Sequence, residues 1–167
     1  MLPDTLNGLP VHALSVHATV VLVPLAAALG VLFAVPRLRE WTTFPLPLVA
    51  AGAAIATWVS VQSGEALKAA GGQGAAGLGG PVAELVAEHQ DLGNQLLLMV
   101  VAYAVAVTIA VVVVRRAGRG VTVVLSVLVV LGAVAVGVQT FRVGELGSRA
   151  VWNPTDTVDY GSTDRDN

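Results

Sequence analysis

The sequence contains no cysteine. Disulfide bonds, thiolate zinc sites, cysteine-ligated iron–sulfur clusters and covalent c-type haem attachment are therefore excluded. Charge is also scarce, because 12% of the residues are charged, against roughly 25% in an average soluble domain. The net charge is −2, and no Lys/Arg run forms a phosphate-binding patch, so nucleic-acid binding is excluded as well.

Four long apolar runs account for the shortage of charge. They cover residues 11–35, 44–61, 92–114 and 121–141, and almost all acids and bases lie outside them. A helix needs about 20 apolar residues to cross a bilayer, and these runs do not alternate as outer-membrane strands do. The sequence predicts an all-α integral membrane four-helix bundle. Residues 1–150 form its single domain, the glycine-rich stretch 69–81 is a flexible linker, and residues 151–167 form a mobile acidic tail.

Basic residues predict the orientation of the spans. The loops between spans one and two and between spans three and four hold five of the nine bases, namely Arg37, Arg39, Arg115, Arg116 and Arg119. The positive-inside rule places both loops in the cytoplasm, so both termini lie outside. Richness in Ala, Val and Gly with a single lysine is typical of a GC-rich bacterial gene. We therefore expect a multi-pass protein of the bacterial cytoplasmic (inner) membrane, surrounded by the lipid bilayer.

All three histidines fall at the outer ends of these spans, together with Glu65 and Glu145. His12 and His17 are five residues apart, which separates them by about 140° on a continuous helix. We expect His17, at the edge of the apolar run, to face inward and His12 to lie in the headgroup region. His89 precedes Gly93 by one helical turn, and a small residue beside a histidine leaves room for a flat ring.

Histidines gathered in one layer, without thiols, favour a redox or metal-handling membrane protein. The favoured site is a b-type haem with His17 and His89 as axial ligands and His12 as a substitute. A metal ion bound by His17, His89 and Glu65 is the alternative to haem. His12 and His17 also have two other interpretations: an interfacial side chain bonded to water, lipid or a backbone carbonyl, or part of a proton relay. For His89, the neighbouring Gly93 also has the simpler interpretation of close helix packing.

Five short motifs, in this order and spacing, resemble domain-of-unknown-function family 2231, a family of predicted bacterial integral membrane proteins. They are Leu9-Pro10-Val11-His12, Val16-His17, Ser63-Gly64-Glu65, His89 with Leu92-Gly93, and Arg142-Val143-Gly144-Glu145-Leu146. The resemblance covers about residues 8–150 and implies the four-span fold and the membrane location. Ala13 and Ala18 stand where the family commonly has a proline and an aromatic residue. The family has no settled activity, so the resemblance implies no mechanism.

Two other functions remain open beside the haem or metal site. The chain is also interpreted as a non-catalytic accessory or assembly subunit of a larger membrane complex, or as part of a homo-oligomer. A transporter or proton path is less favoured, because no acid or histidine lies at mid-membrane depth. No catalytic triad, H-E-x-x-H motif or nucleophile elbow is present, so the sequence indicates no hydrolytic enzyme.

Overall fold

The computed structural model describes residues 5–70, 80–155 and 157. A short hairpin, β1 (Thr5–Leu6) and β2 (Leu9–Pro10), precedes the helices. The helices are α1 (Val11–Ala34), α2 (Arg39–Thr42), α3 (Pro45–Ala70), α4 (Pro81–Val114) and α5 (Arg119–Trp152). Residues 71–79 of the predicted linker and most of the predicted tail lie outside the described residues.

Four helices are long and apolar enough to cross a membrane, which confirms the predicted all-α four-helix architecture. Three of them continue past the apolar runs. Helix α3 extends to Ala70, α4 begins at Pro81 and α5 ends at Trp152, whereas the runs end or begin near Val61, Leu92 and Phe141. The added turns contain Ala, Glu, Gln and Leu, which favour helix in water as well as in lipid. The apolar runs therefore give the spans but not the full helices.

The four long helices form a closed bundle. Each packs mainly against two neighbours, in the order α1, α3, α4, α5 and back to α1. Helices α1 and α4 therefore lie diagonally across the bundle from each other. Their buried faces meet in one apolar core that includes Val23, Phe33, Leu46, Val100, Val107 and Val136. Large apolar side chains such as Leu98 and Phe141 are exposed on the outer surface, where lipid is the expected solvent.

Tyr103 is the largest polar side chain at the centre of the bundle. Its hydroxyl donates a hydrogen bond to the Ala26 carbonyl at 3.3 Å, which joins α4 to α1 across the diagonal. Gly30 makes room for this hydroxyl, since a Cβ at that position would overlap it. Gly132 makes room for the ring, with a hypothetical Cβ 2.9 Å from the Tyr103 Cδ2 atom. The centre of the bundle is thus a tyrosine packed between two glycines.

Arg39 stabilises the end of α1 that lies opposite the histidines. Its Nε donates to the Phe33 carbonyl at 3.1 Å and its Nη2 to the Ser126 Oγ at 3.1 Å. Its guanidinium also lies 5.5 Å from the centre of the Phe33 ring. A helix leaves its last carbonyls without intrahelical partners. Arg39 satisfies two of them, the carbonyls of Phe33 and Ala34, and ties α1 to α5 at this end.

The hairpin before α1 was not predicted from the sequence. Its turn is Asn7-Gly8, with φ values of 51° and 80°. Left-handed φ at both positions is what a two-residue hairpin turn requires, and Asn-Gly is a preferred pair there. The hairpin ends at Pro10, and α1 begins directly after it at Val11, one residue before His12.

Candidate functional site

Two histidines from diagonally opposite helices meet near one end of the bundle. His12 lies in the first turn of α1 and His89 in the third turn of α4. Their ring centroids are 6.5 Å apart and the ring planes are perpendicular. Both side chains are half-buried. Since α1 and α4 face each other across the bundle, the two rings meet near its central axis.

His12 is fixed against helix α3. Its Nδ1–H donates a hydrogen bond to the Ser60 carbonyl at 2.8 Å. Gly64, one turn further along α3, permits this approach, because a Cβ there would lie 3.1 Å from the His12 Nδ1 and Cε1 atoms. Carbon atoms pack best at about 3.5–4.0 Å. A larger residue at position 64 would therefore push the ring away from α3.

His89 is fixed against helix α5 in the same way. Its Nδ1–H donates to the Val143 carbonyl at 3.0 Å. Gly147, again one turn further along, lies beneath the ring, and a Cβ there would be 2.9 Å from the His89 Cε1 atom. Each histidine thus uses one backbone carbonyl and one glycine of the helix it packs against.

These hydrogen bonds determine the chemistry of the remaining ring nitrogens. A carbonyl only accepts, so Nδ1 carries the proton in both rings. In a neutral imidazole the other nitrogen, Nε2, then has a free lone pair and acts as an acceptor or metal ligand. The same arrangement, with the distal N–H held by a carbonyl, is how proteins orient histidines that ligate metals. The site therefore offers two nitrogen lone pairs from two fixed rings.

A cavity of about 830 Å³ adjoins both histidines. Its wall is mainly apolar and includes Val16, Val20, Leu96 and Val143. Glu65, Lys68 and Gln90 also border it, and the Lys68 Nζ donates to the Gln90 Oε1 at 2.9 Å, which links α3 to α4. Pockets of ~300–1,000 Å³ with apolar walls and few polar groups are typical of small-molecule and cofactor sites.

Hydroxyl groups join α1 to α3 beside His12. The Thr19 Oγ1 and Ser60 Oγ lie 3.0 Å apart, and the Ser15 Oγ and Ser63 Oγ lie 3.3 Å apart. Interhelical hydrogen bonds of this kind stabilise helix pairs inside membranes. They hold the carbonyl of Ser60 at a fixed distance from α1, and so support the position of the His12 ring.

The sequence model of one protein family, described as "Predicted membrane protein (DUF2231)", matches residues 8–159. The chain belongs to the DUF2231 family. The match confirms the resemblance found in the sequence motifs and agrees with the four helices that are long and apolar enough to cross a membrane. No curated protein and no solved structure matches the chain.

In this DUF2231 chain, the positions of the two histidines of α1 are the reverse of those expected from the sequence. We expected His17 to face inward and His12 to lie in the headgroup region. The structure places His12 inside, against α3, whereas His17 is exposed and its Nδ1–H donates to the Ala13 carbonyl of its own helix. The reason is the buried stripe of α1, which contains Thr19, Val23, Ala26, Gly30 and Phe33. His12 continues that stripe by one further heptad, and His17 lies off it.

The other predicted site residues of this DUF2231 chain have different surroundings. His17 and Glu65 both border the cavity, but neither makes a ring contact or hydrogen bond to His89 among the contacts described. Glu145 is exposed. Within residues 5–70, 80–155 and 157, no group of three or more His, Asp or Glu side chains converges to hold a metal ion. The metal set of His17, His89 and Glu65 stays a prediction.

Two glycines were missed as parts of the site. The sequence interpretation paired His89 with Gly93, and Gly93 does border the cavity, but a Cβ there would meet nothing within 4 Å. The glycines in contact with the rings are Gly64 and Gly147, on the neighbouring helices. Both lie in segments that the family resemblance had already singled out or adjoined, Ser63-Gly64-Glu65 and the residues after Gly144.

Proposed function

We propose that this protein is a small redox protein that binds a b-type haem between His12 and His89. The supporting observation is the histidine pair itself: two perpendicular rings, 6.5 Å apart, each held through Nδ1–H by a backbone carbonyl. In each neutral ring, Nε2 keeps a lone pair that can bind a metal. The proposal keeps His89 from the sequence interpretation and takes His12 in place of His17.

The separation of the rings suits a bound metal centre. A metal ion that bonds one nitrogen of each imidazole at ~2 Å holds the two ring centroids about 6 Å apart. The observed 6.5 Å is close to that value. A hydrogen bond from Nδ1–H to a carbonyl would also be present in a purely structural histidine. Two such histidines facing each other beside a cavity of about 830 Å³ are what favour a ligand.

The number of ligands favours haem over a bare metal ion. Haem iron takes four nitrogens from the porphyrin, so two histidines complete its coordination. Zinc takes three or four protein side chains, and such a group is missing from the residues that the structure describes. The apolar wall of the cavity also suits a flat hydrophobic macrocycle, with Lys68 at its border as a partner for an acidic substituent.

The proposed orientation places this site on the outer side of the bacterial cytoplasmic membrane. Five arginines lie at the end of the bundle opposite the histidines. Two of them, Arg37 and Arg39, follow α1, and the other three, Arg115, Arg116 and Arg119, lie between the end of α4 and the beginning of α5. The positive-inside rule supports the cytoplasmic location of that end and the external location of both termini. Cysteine-scanning accessibility at Arg37 and at Thr155, measured in intact cells, tests the orientation.

The haem proposal is tested by spectroscopy of the purified full-length protein. Expression with a haem precursor, followed by mild detergent extraction, is expected to yield a Soret band and sharp α and β bands on reduction. His12→Ala and His89→Ala are each expected to lose the six-coordinate spectrum. His17→Ala is the matched control, because His17 borders the same cavity from the same helix as His12, and it is expected to keep the spectrum.

The opposite results would reject the proposal. A protein without a Soret band, which also fails to bind added hemin, does not carry this haem site. A spectrum lost in His17→Ala but kept in His12→Ala would return the axial role to His17. A protein that isolates without cofactor and only together with a partner would instead support the accessory-subunit interpretation.

A further inference from the structure

The two histidine-bearing helices have their buried positions in the same register. Adding 77 to a residue number in α1 gives the corresponding residue in α4, beginning with His12 and His89. The pairs Thr19 and Leu96, Val23 and Val100, Ala26 and Tyr103, Gly30 and Val107, and Phe33 and Ala110 are then all buried in both helices. Helices α1 and α4 therefore present equivalent faces to the centre of the bundle.

The helices that receive the histidines are also in register. Adding 83 to a residue number in α3 gives the corresponding residue in α5. The buried pairs are Leu46 and Val129, Ala50 and Ala133, Ala53 and Val136, and Thr57 and Thr140. The Thr57 Oγ1 donates to the Ala53 carbonyl at 2.8 Å, and the Thr140 Oγ1 donates to the Val136 carbonyl at 2.7 Å. The same side chain thus makes the same bond at corresponding positions.

This register also relates the two arms of the site, which are His12 with its contacts on α3 and His89 with its contacts on α5. It pairs Ser60 with Val143, whose carbonyls accept the two histidine hydrogen bonds, and Gly64 with Gly147, which lie beneath the two rings. Exchanging α1 with α4 and α3 with α5 leaves the order of neighbours in the bundle unchanged. Most residues bordering the cavity fall into such pairs, for example Val16 with Gly93. This pattern of paired residues is what an approximate two-fold axis between the histidines would produce.

We propose that the site consists of two equivalent arms of an internal repeat, in which Gly64 and Gly147 are the positioning residues. Each glycine, together with the carbonyl one turn before it, holds one imidazole against the helix that carries the glycine. The two rings, each anchored separately, lie at 90° to each other. The identity of the ligand rests on the proposed haem function. The positioning of the two rings by the glycines does not depend on it.

The equivalence has a spectroscopic consequence for the haem-bound protein. Perpendicular axial imidazoles give a ferric low-spin haem a strongly anisotropic electron paramagnetic resonance signal with one dominant g value, whereas parallel imidazoles give a rhombic signal. We expect the anisotropic signal in the wild-type protein. An alanine at either glycine rotates one ring only, so each substitution is expected to convert the signal toward the rhombic form.

The first experiment uses the full-length protein without haem, in detergent, with ¹⁵N-labelled histidine. Both His12 and His89 are expected to show a protonated Nδ1 and an unprotonated Nε2. Gly64→Ala is expected to shift the ring resonances of His12 alone, and Gly147→Ala those of His89 alone. Shifts of both rings with either substitution, or of neither ring, would overturn the two-arm assignment.

Two matched controls border the same cavity. Gly93 and Gly144 are free of neighbours within 4 Å of an added Cβ. The equivalent positions in the other half are Val16 and Val61, so the fold already accepts a larger side chain at that level. Gly93→Ala and Gly144→Ala are expected to leave all histidine resonances unchanged. Shifts as large as those of Gly64→Ala would contradict the special role of Gly64 and Gly147.

The second experiment measures haem affinity and the electron paramagnetic resonance signal of the same four variants. Loss of an outer hydrogen-bonded support costs a ligand site on the order of 10- to 100-fold in affinity, which is the weakening expected for Gly64→Ala and Gly147→Ala. If wild-type protein binds no haem, the proposed function fails while the apoprotein experiment still tests the positioning. If haem binds equally in all variants, with an unchanged signal, the positioning fails and the function stands.

A variant that does not fold is also informative. If Gly64→Ala does not fold because its Cβ collides with the His12 ring, adding His12→Ala is expected to restore folding, and adding His89→Ala is not. The mirror pattern is expected for Gly147→Ala, with rescue by His89→Ala only. Rescue by the wrong histidine would overturn the assignment.

Discussion

At the centre and at the histidine end of this bundle, two glycines lie against aromatic rings, but the space around the rings differs. At the centre, Gly30 and Gly132 lie against the Tyr103 ring and hydroxyl, and the ring fills the space between α1, α4 and α5. At the histidine end, Gly64 and Gly147 lie against the His12 and His89 rings, yet a cavity of about 830 Å³ remains beside them. One arrangement closes the bundle and the other leaves it open.

The direction in which each ring is held explains this difference. Tyr103 crosses the bundle and donates to Ala26 on the diagonally opposite helix, so it pulls α1 and α4 together. His12 and His89 each bond to an adjacent helix and stay on their own side. Because a packed ring stabilises the fold by dispersion contacts and a ring on a cavity wall has fewer of them, the centre is expected to carry stability and the histidine end to carry function.

The sharpest test of this contrast replaces one ring at each level. Tyr103→Ala is expected to lower the free energy of unfolding by about 3–5 kcal/mol, the usual cost of deleting a large buried aromatic ring. His89→Ala is expected to cost about 1 kcal/mol, since it removes one hydrogen bond and borders space that is already open. Unfolding of both variants in detergent, followed by circular dichroism, checks the difference. Equal losses would mean that the two ends are packed alike.

A methyl group added at the centre tests how tightly that level is closed. Gly30→Ala is expected to cost about 1–3 kcal/mol of unfolding free energy, because its Cβ would overlap the Tyr103 hydroxyl and would lie 3.1 Å from the Val129 Cγ1 in a packed core. Adding Tyr103→Phe removes the hydroxyl and is expected to recover part of the loss. Gly52→Ala is the control, because its Cβ would lie 3.8 Å from the Leu22 Cδ1 in ordinary contact. No recovery in the double variant would contradict this explanation.

A milder overpacking is expected on the other side of the same ring. The Gly132→Ala Cβ would lie 2.9 Å and 3.2 Å from two ring carbons of Tyr103, which the ring relieves by a small shift. Because alanine also favours the helix by up to about 1 kcal/mol, the net cost is expected to be about 1 kcal/mol. Gly137→Ala on the same helix meets no atom within 4 Å and is expected to be neutral or stabilising. A Gly132→Ala variant as stable as Gly137→Ala would show that the ring is loosely held.

The sequence predicted the four spans because hydrocarbon solvent leaves few alternatives. Runs of about 20 apolar residues must form helices if their backbone groups are to be satisfied, and the described helices cover all four runs to within one residue at each end. The placement of His89 one helical turn before Gly93 already extended the third span towards its N-terminus, but the apolar runs do not predict the full extent of α3, α4 and α5. Outside the hydrocarbon, neither hydropathy nor the need to satisfy backbone groups fixes where a helix ends.

The candidate site was predicted in part. The layer of histidines followed from the order of the spans, but the choice between His12 and His17 needed the register of α1. Counting back from Phe33 along buried positions to Thr19, and then one more heptad, reaches His12. Helix α1 is apolar on all sides, however, so its sequence alone does not show which face is buried. The roles of Gly64 and Gly147 arise from contacts between helices far apart in sequence. A glycine in a membrane helix can also permit close packing of two helices. The sequence of the chain does not say which side chain lies against a given glycine.

The smallest expected effect concerns the hydroxyl pair that supports His12. Thr19 and Ser60 hydrogen-bond to each other at 3.0 Å, and both are buried. Interhelical hydrogen bonds in membranes contribute about 0.6 kcal/mol on average. A double-mutant cycle of Thr19→Val and Ser60→Ala is expected to give a coupling energy of that size. Thr108→Val, whose exposed hydroxyl donates only within its own helix, is the control and is expected to leave the unfolding free energy unchanged.

The other half of the chain indicates how far this pair can be changed. The positions equivalent to Thr19 and Ser60 are Leu96 and Val143, an apolar pair at the same level, and the Val143 carbonyl still accepts the His89 hydrogen bond. His89 is therefore held through a backbone carbonyl without a hydroxyl pair beside it. Thr19→Leu combined with Ser60→Val is expected to keep the His12 tautomer and to change the unfolding free energy by about 1 kcal/mol or less. Loss of the His12 hydrogen bond in this double variant would mean that the two arms reach the same geometry by different means.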